Sequence, residues 1–358
     1  MRESGNTNYP YLVQLKEEYL NNAPQQDTDG VYKIYTAKEL ASFAAMVLAV
    51  DNDIDGKLMN NIDMNGITDF IPIGKVSLFD ADGSNEAGYT DTFDGQGYII
   101  SNLIISDNNY VTAGLFGNLR GTVKNIGLDN VSFAKTESAD GRYGVLCGLV
   151  LEGGTVENCY VINSSVDATD SRVAGVIAGG NYGETVKNCY TMDCTFTAYE
   201  NRGGYIAGDN TNDDSSLTGT VENCYTDGSN ITGSKRGTVT GGSYGVSDDI
   251  FAGGEIAYKL NGGVTEGTQA WYQNIGSDSY PVFEGETVCY DNGNDNYYNY
   301  ILGNVDMKGT VDKADAALLL KYLSGIAKLT DAQKELGNVN GGDLDITDAV
   351  AILKMCEQ

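Results

Sequence analysis

The segment Gly154–Tyr160, which reads GTVENCY, decides the fold because the same pattern recurs along the chain. Copies occur at 121–127 (GTVKNIG), 184–190 (ETVKNCY) and 219–225 (GTVENCY), and a fainter copy includes Asn102. The asparagines of the copies are Asn102, Asn125, Asn158, Asn188 and Asn223. Repeats at intervals of roughly 30 residues are typical of solenoids, in which each repeat forms one coil.

A second motif, flanked by glycines, alternates with the first. It occurs at 114–117 (GLFG), 144–148 (GVLCG), 175–179 (GVIAG), 204–208 (GYIAG) and, more loosely, 237–241 (GTVTG). Each coil therefore carries at least two short segments, which are too brief and too rich in Gly, Thr and Val for helical repeats. The sequence predicts a mainly β fold, a parallel β-helix of roughly six to eight coils over about residues 50–250.

Equivalent residues of successive coils lie about 4.8 Å apart in such a fold and form columns. We predict two inward columns, Val123, Val156, Val186 and Val221 in one, and Phe133, Val166, Phe196 and Ile231 in the other. Asparagine tolerates left-handed backbone conformations and its amide can bond along a stack, so the asparagines are predicted at a bend between strands. Cysteines at 159, 189 and 224 share a position with Ile126, which indicates buried free thiols.

Charge and composition narrow the possible functions. Of 358 residues, 50 are acidic and 22 basic, which gives a net charge of −28. This charge disfavours nucleic acid and anionic membranes as partners and favours calcium binding. The longest apolar stretch, 39–50, is too short to span a bilayer, and no export signal is recognisable at the start of this chain. Histidine is absent, which excludes Ser-His-Asp and Cys-His catalysis and histidine metal sites.

Changes of pattern divide the chain into three segments. Residues 1–30 are predicted as a short helix and linker, 31–300 as the β-helix with its caps, and 301–358 as a small helical module. Within the second segment, Thr36 and Glu39 form a capping box before an apolar helix. Such a helix is expected to cover the first coil, whose strand edges and core would otherwise be exposed.

The solenoid segment resembles the GLUG-repeat β-helices of secreted and surface bacterial proteins. The resemblance spans about residues 31–300, and it rests on Thr92–Leu103 (TFDGQGYIISNL), the GLFG motif, the Val-x-Asn coils, and closing segments at 254–261 (GEIAYKLN) and 271–276 (WYQNIG). It implies a right-handed parallel β-helix closed by the segment around Trp271. It does not imply one activity, because such repeats occur in adhesins and in non-catalytic parts of large enzymes.

Two outward columns are candidate glycan-binding sites. The first is formed by the tyrosines that follow the inward cysteine position, Tyr160, Tyr190 and Tyr225. They are expected to form a platform for sugar rings or to stack on one another. The second is formed by arginines that each follow an acidic residue two positions earlier, Arg142, Arg172 and Arg202. They are expected to form a salt-bridge ladder or a groove for an anionic glycan.

The chain offers many carboxylates, but no sequence pattern marks a catalytic pair. A non-catalytic module for glycan binding, adhesion or display is therefore the favoured interpretation of the solenoid. The alternative is a polysaccharide-degrading enzyme, either a carboxylate-dependent glycosidase or a calcium-dependent lyase.

After residue 300 the pattern becomes helical and is duplicated. The segments 303–315 (GNVDMKGTVDKAD) and 337–348 (GNVNGGDLDITD) each precede an apolar helix. Oxygen-bearing side chains at alternate positions, a glycine at the sharp turn and a carboxylate at the helix start suit Ca²⁺. The predicted ligands of two calcium ions are Asn304, Asp306, Lys308, Thr310, Asp312 and Asp315 in the first loop, and Asn338, Asn340, Asp343, Asp345 and Asp348 in the second.

This duplicated loop and helix resembles a type I-like dockerin, the module that attaches enzymes and accessory proteins to the cohesins of a scaffoldin. The resemblance implies calcium-dependent cohesin binding and an extracellular, cell-surface cellulosome of an anaerobic bacterium. The cohesin-binding residues that it implies are Lys313, Ala314, Leu320, Lys321, Ile346, Thr347, Leu353 and Lys354. Two features depart from the family pattern: Lys308 replaces an Asp or Asn, and the second loop is one residue short near Gly342. Because the two halves differ at recognition positions, one binding orientation is expected to dominate.

Overall fold

The computed structural model describes residues 21–49, 54–74, 88–105, 110–134, 141–168, 173–182, 184–198, 201–211, 217–234 and 237–357. The chain forms two compact units, Met1–Val246 and Ser247–Gln358. Residues 1–20 of the segment predicted as a short helix and linker lie outside the described residues, as does Arg172.

The first unit is a parallel β-solenoid, as the repeats predict. Its first strands are β1 (Gln25–Gln26), β2 (Tyr32–Ile34), β3 (Gly56–Leu58), β4 (Ile62–Asp63), β5 (Thr92–Asp94), β6 (Ile99–Ser101), β7 (Ile104–Ile105), β8 (Thr112–Ala113) and β9 (Phe116–Leu119). The next are β10 (Thr122–Asp129), β11 (Ser132–Ala134), β12 (Arg142–Gly144), β13 (Cys147–Val150), β14 (Thr155–Ile162), β15 (Ser165–Asp167), β16 (Val173–Gly175) and β17 (Ala178–Asn181). The last are β18 (Thr185–Lys187), β19 (Tyr190–Met192), β20 (Thr195–Thr197), β21 (Gly203–Gly204), β22 (Ala207–Asp209), β23 (Thr220–Glu222), β24 (Tyr225–Thr226) and β25 (Thr238–Thr240).

These strands stack into four sheets. The largest contains the parallel series β2, β3, β5, β10, β14, β18, β23 and β25, and it is continued by β4, β6, β19 and β24. The other three are β7–β11–β15–β20, β8–β12–β16–β21 and β9–β13–β17–β22. Each of the three smaller sheets contains four stacked strands, and the solenoid therefore makes about three complete turns. The predicted six to eight coils are too many, because the stack continues beyond these turns in the largest sheet and elsewhere through single bridges such as Ile73–Phe116 and Ala207–Thr232.

The predicted inward columns are present. The valine column is in register through the pairs Val123–Val156, Val156–Val186 and Val186–Val221. The second column is in register through Phe133–Val166 and Val166–Phe196, and Ile231 lies in the same core. All seven cysteines are free thiols. Burial raises the pKa of the thiols of Cys189 and Cys224 well above the ordinary value.

The repeated asparagines occupy left-handed bends, as predicted. Asn125, Asn158, Asn188 and Asn223 have φ of 53°, 51°, 52° and 50°. The Nδ2 of Asn158 donates to Oδ1 of Asn125 at 3.3 Å, and that of Asn223 to Oδ1 of Asn188 at 2.9 Å. The amides of Asn158 and Asn223 therefore each link one coil to its neighbour.

Asn102 was wrongly assigned to that column. Its Oδ1 accepts a hydrogen bond from Nδ2 of Asn130 at 2.7 Å, and Ser101 pairs with Asp129. Asn102 therefore belongs to a second left-handed bend with Asn130 and Asn163. The two bends have similar residues on either side, so sequence spacing alone did not separate them.

A helix, α1 (Ala37–Ala49), begins at the predicted capping box. The amide N–H of Glu39 donates to Oγ1 of Thr36 at 3.2 Å, and the N–H of Tyr35 donates to Oε2 of Glu39 at 2.8 Å. Leu40, Phe43 and Val47 lie in the same hydrophobic core as the solenoid columns. The helix therefore covers the core at the N-terminal end, as predicted.

The second unit combines short helices with one antiparallel hairpin. Its elements are α2 (Asp248–Ala252), α3 (Glu255–Leu260), β26 (Val288–Asp291), β27 (Asn296–Asn299), α4 (Lys313–Leu323), α5 (Asp331–Gly337) and α6 (Ile346–Met355). Helices α4 and α6 pack through Leu319, Ala349 and Ile352, and the hairpin packs on α5 through Cys289, Tyr298 and Leu336. None of the helices in the described residues is long and apolar enough to cross a membrane.

Candidate calcium loops and docking helices

The first predicted calcium loop closes on the carboxylate of Asp315 at the start of α4. Oδ1 of Asp315 accepts from the N–H of Asp306 at 2.9 Å, and Oδ2 accepts from the N–H of Asp312 at 2.8 Å. Asp312 caps the helix, since its Oδ1 accepts from the N–H of Ala314 at 2.6 Å. These bonds fold the loop back onto the helix that follows it.

The second loop repeats this arrangement although it is one residue shorter. Asp348 accepts from the N–H groups of Asn340 and Asp345, both at 3.0 Å. Oδ1 of Asp345 accepts from the N–H of Thr347 at 2.7 Å and caps α6. The duplication read from the sequence is therefore also a duplication of local geometry.

Charge accumulates in the first loop. Asp315 is fully buried, and its burial, together with the negative charges of Asp306 and Asp312, raises the pKa of its carboxyl. In the second loop, hydrogen bonds from Thr347 lower the pKa of Asp345. A positive charge near Asp315 would favour the ionised form that its neighbours oppose.

The residues present have the donor chemistry that calcium requires, which is oxygen only. Oδ1 of Asn338 is buried and accepts no hydrogen bond, while its Nδ2 donates to the carbonyl of Gly342 at 2.9 Å. In the part of the chain that the structure describes, no three Asp, Glu or Cys side chains converge into a group that could hold a metal. A calcium ion would therefore also need asparagine and backbone oxygens, which the loops supply.

The remaining predicted ligands are less well placed. Lys308 has its backbone N–H on Oδ1 of Asn304 at 3.1 Å and on Oδ1 of Asp306 at 3.0 Å, and its side chain supplies no oxygen. Thr310 and Asp343 are exposed at the outer turns of their loops. The residues that fit an ion are Asn304, Asp306, Asp312 and Asp315 in one loop, and Asn338, Asn340, Asp345 and Asp348 in the other.

All eight predicted cohesin-binding residues are exposed. They lie at the starts and outer faces of two helices: Lys313, Ala314, Leu320 and Lys321 on α4, and Ile346, Thr347, Leu353 and Lys354 on α6. Each helix buries its opposite face, with Ala316 and Leu319 on α4 and Ala349 and Ile352 on α6. The pattern leaves an apolar patch on each helix in solvent.

The two patches differ, and sequence reasoning missed one member. Val350 is 45% exposed between Ile346, at 63%, and Leu353, at 37%. These residues stand at i, i+4 and i+7, so they form a continuous stripe on α6. Their equivalents on α4 are Lys313, Ala317 and Leu320. The spacing could have identified Val350.

Of the two arrangements predicted for the tyrosines, stacking on one another is observed for Tyr160 and Tyr190, and the outward platform is not. Tyr160, Tyr190 and Tyr225 are 2%, 0% and 5% exposed. The rings of Tyr160 and Tyr190 stack with centroids 5.1 Å apart and planes 7° apart. The hydroxyl of Tyr225 donates to Oδ1 of Asn223 at 2.7 Å. Buried rings that stack on one another offer no open face to a sugar.

The predicted arginine column is also wrong. Arg142 pairs in register with Val173, and Arg172 lies outside the described residues. Arg142 is buried, and its Nε donates to the hydroxyl of Tyr182 at 2.7 Å. The guanidinium of Arg202 pairs with the buried carboxylate of Asp209. Arg142 thus links two coils and Arg202 is paired within one coil, and neither contributes to an open groove for an anionic glycan.

A charge ladder does exist in the largest sheet, at the position that precedes the asparagine in the copies at 121–127, 154–160, 184–190 and 219–225. Lysine and acid alternate there in the order Lys57, Asp94, Lys124, Glu157, Lys187 and Glu222. The Lys124–Asp94 and Lys187–Glu157 pairs measure 3.5 and 2.8 Å. The alternation of TVKN with TVEN in the sequence was the available signal.

Comparison with known proteins gives no family. No protein-family model matches the chain, and no curated protein matches it. Among solved structures, the chain is similar to one from Bacteroides ovatus described as a "putative immunoglobulin A1 protease". The identity is 20% and the TM-score 0.44, over 72% of this chain and 94% of that chain. At this level the similarity assigns no activity to the protein described here.

Proposed function

We propose that residues 301–358 form a calcium-dependent docking module of the dockerin type, which attaches an extracellular protein to a scaffoldin cohesin. The observation that carries the proposal is the repeated geometry of the two loops, in which buried Asp315 and Asp348 each accept two backbone N–H bonds. Exposed apolar stripes on α4 and α6, which follow these loops, support a protein partner.

Two calcium ions would neutralise carboxylates that otherwise repel one another. In the first loop Asn304, Asp306, Asp312 and Asp315 hold the chain in a bend whose end is fixed to α4. In the second, Asn338, Asn340, Asp345 and Asp348 do the same for α6. A module of under about 60 residues has a small core, so the ions would supply much of its stability.

The partner-binding orientation is set by the difference between the helices. Ile346, Val350 and Leu353 present a wider apolar stripe than Lys313, Ala317 and Leu320. Apolar anchors at the centre of an interface contribute more than rim charges. The cohesin is therefore expected to bind mainly with α6 at the centre of the interface.

The test is binding of the full chain to a panel of immobilised cohesin modules, with and without a calcium chelator. Binding is expected in calcium only. Changing Leu353 and Lys354 to Asp should weaken it more than changing Leu320 and Lys321 to Asp. Equal losses would contradict the orientation, and binding that persists in chelator would contradict the mechanism.

For the solenoid we propose a non-catalytic display or spacer role. The support is a rigid stack of coils whose candidate sugar platform is buried. Incubation of the chain with a panel of polysaccharides should release no reducing ends or unsaturated products. Release of either would favour an enzyme instead.

A further inference from the structure

The second unit contains a groove that the docking proposal does not use. Its volume is about 940 Å³. One wall is the start of α5, with Asp331 and Glu335, and the other is formed by the hairpin β26–β27 and the turn that follows α3. A groove of this size accommodates a small ligand or several residues of a peptide.

The charged residues that line the groove are all acidic: Glu266, Asp291, Asp331 and Glu335. Lysines occur near its walls, but Lys334 pairs with Asp331 at 2.9 Å and Lys259 pairs with Glu255. The exposed Lys328 precedes the lining residue Leu329. No lysine or arginine is among the lining residues that the structure describes.

Aromatic side chains line the same groove: Tyr258, Tyr290, Tyr298 and Tyr300. The rings of Tyr258 and Tyr290 lie 6.1 Å apart, and Tyr297 packs 5.0 Å from Tyr290 behind them. Burial, followed by the negative charge of Glu335, raises the pKa of Tyr300. Aromatic rings and carboxylates therefore line one groove.

We propose that this groove binds a ligand carrying ammonium or guanidinium groups. Carboxylates pair with such groups through charge-assisted hydrogen bonds, and tyrosine faces attract them by cation–π interaction. An anionic ligand would meet the carboxylates of Glu266 and Glu335, whereas the charge of Asp331 is already offset by Lys334. A neutral sugar would stack on the tyrosine rings but would form no ion pair with the acidic residues that line the groove.

The ammonium or guanidinium group can belong to a free polyamine or to the basic side chains of a peptide. Two probes separate these sources, spermine and an arginine–lysine octapeptide, with cellohexaose as the neutral probe. Calorimetry on the full chain in saturating calcium measures the affinity for each. If the source is a peptide, the octapeptide binds more tightly than spermine; if it is a polyamine, spermine does.

Substitutions localise the site, which matters because a chain of charge −28 attracts cations everywhere. Glu266→Gln with Glu335→Gln is expected to lower the affinity for the better probe about tenfold. Glu284→Gln removes one exposed carboxylate outside the groove and should leave it unchanged. Tyr300→Phe keeps the ring and should bind more tightly than Tyr300→Ala.

Thermal unfolding confirms that each variant is folded before its affinity is compared. Equal weakening by Glu284→Gln would show that the cation binds to the general surface charge, and the proposal would fall. It would also fall if neither cation bound, or if cellohexaose bound with an affinity that the Glu266 and Glu335 changes leave intact. None of these outcomes depends on cohesin binding.

Discussion

At the scale of single residues, the solenoid depends on asparagine at its bends. The φ of Asn158 is 51°, a conformation that costs an ordinary L-residue about 1–2 kcal/mol. The amide of the same residue bonds to Asn125 in the coil below. One side chain thus both permits the bend and links two coils, which explains why asparagine recurs at this position of the repeat.

This double role predicts an order of stability among variants. Asn158→Gly removes the amide bond but tolerates the backbone, whereas Asn158→Ala loses both. The free energy of unfolding of the alanine variant should be about 1 kcal/mol lower than that of the glycine variant, so the alanine variant should unfold at a lower urea concentration. Equal midpoints would show that the left-handed backbone contributes nothing to the choice of asparagine.

A charged residue near the first coil gives a pH dependence. Asp27 accepts from the N–H of Val31 at 3.0 Å and pairs with Lys57, and the bond from Lys57 is the largest cause that lowers its pKa from 3.8 to about 2. A carboxyl group whose pKa is lower in the folded state than in the unfolded state stabilises the protein at any pH above its ordinary pKa. This stabilisation is lost as the pH falls through the pKa of the folded state.

Asp27→Asn should therefore lower the melting temperature at neutral pH, and the difference from the parent should shrink as pH falls from 3.8 to about 2. Asp29→Asn, an exposed neighbour, is the matched control and should have little effect. A difference between parent and Asp27→Asn that stays constant down to pH 2 would contradict the role given to the pair.

At the scale of elements, stacking in register carries the solenoid. Val186 pairs with Val156 below and Val221 above and is fully buried. Val186→Ala should cost about 2 kcal/mol of unfolding free energy because it leaves a gap in a packed column. Thr185→Ala, on the outward face of the same strand, should stay within about 0.5 kcal/mol. Urea unfolding followed by circular dichroism measures both, and similar costs would contradict the column.

The sequence was sufficient for inward columns but not for outward ones. Inward positions repeat the same residue class every coil, so Val123 and Val156 identify their register without a structure. Predicting a column of arginines required a strand register correct to one residue. The register was not predicted that accurately, because Arg142 pairs with Val173. The burial of Tyr160 depends on what packs outside its sheet, which no repeat pattern encodes. Asn102 was assigned to the wrong column because the solenoid has two left-handed bends and asparagine occurs at both.

At the scale of the whole molecule, the chain combines a stack of coils with a second unit that holds the duplicated loops. The duplicated loops were predictable because Asn and Asp recur in the same pattern before α4 and before α6. The groove beside α5 could not be predicted from the sequence, because its lining comes from three separate stretches of chain, near 258–266, 287–300 and 329–335.

The most direct test of the docking proposal is the number of calcium ions bound by the full chain. Native mass spectrometry and calorimetry should give two ions, one fewer for Asp315→Ala or Asp348→Ala, and none for the double variant. A chain that binds no calcium, or a double variant that still binds two ions, would contradict the account.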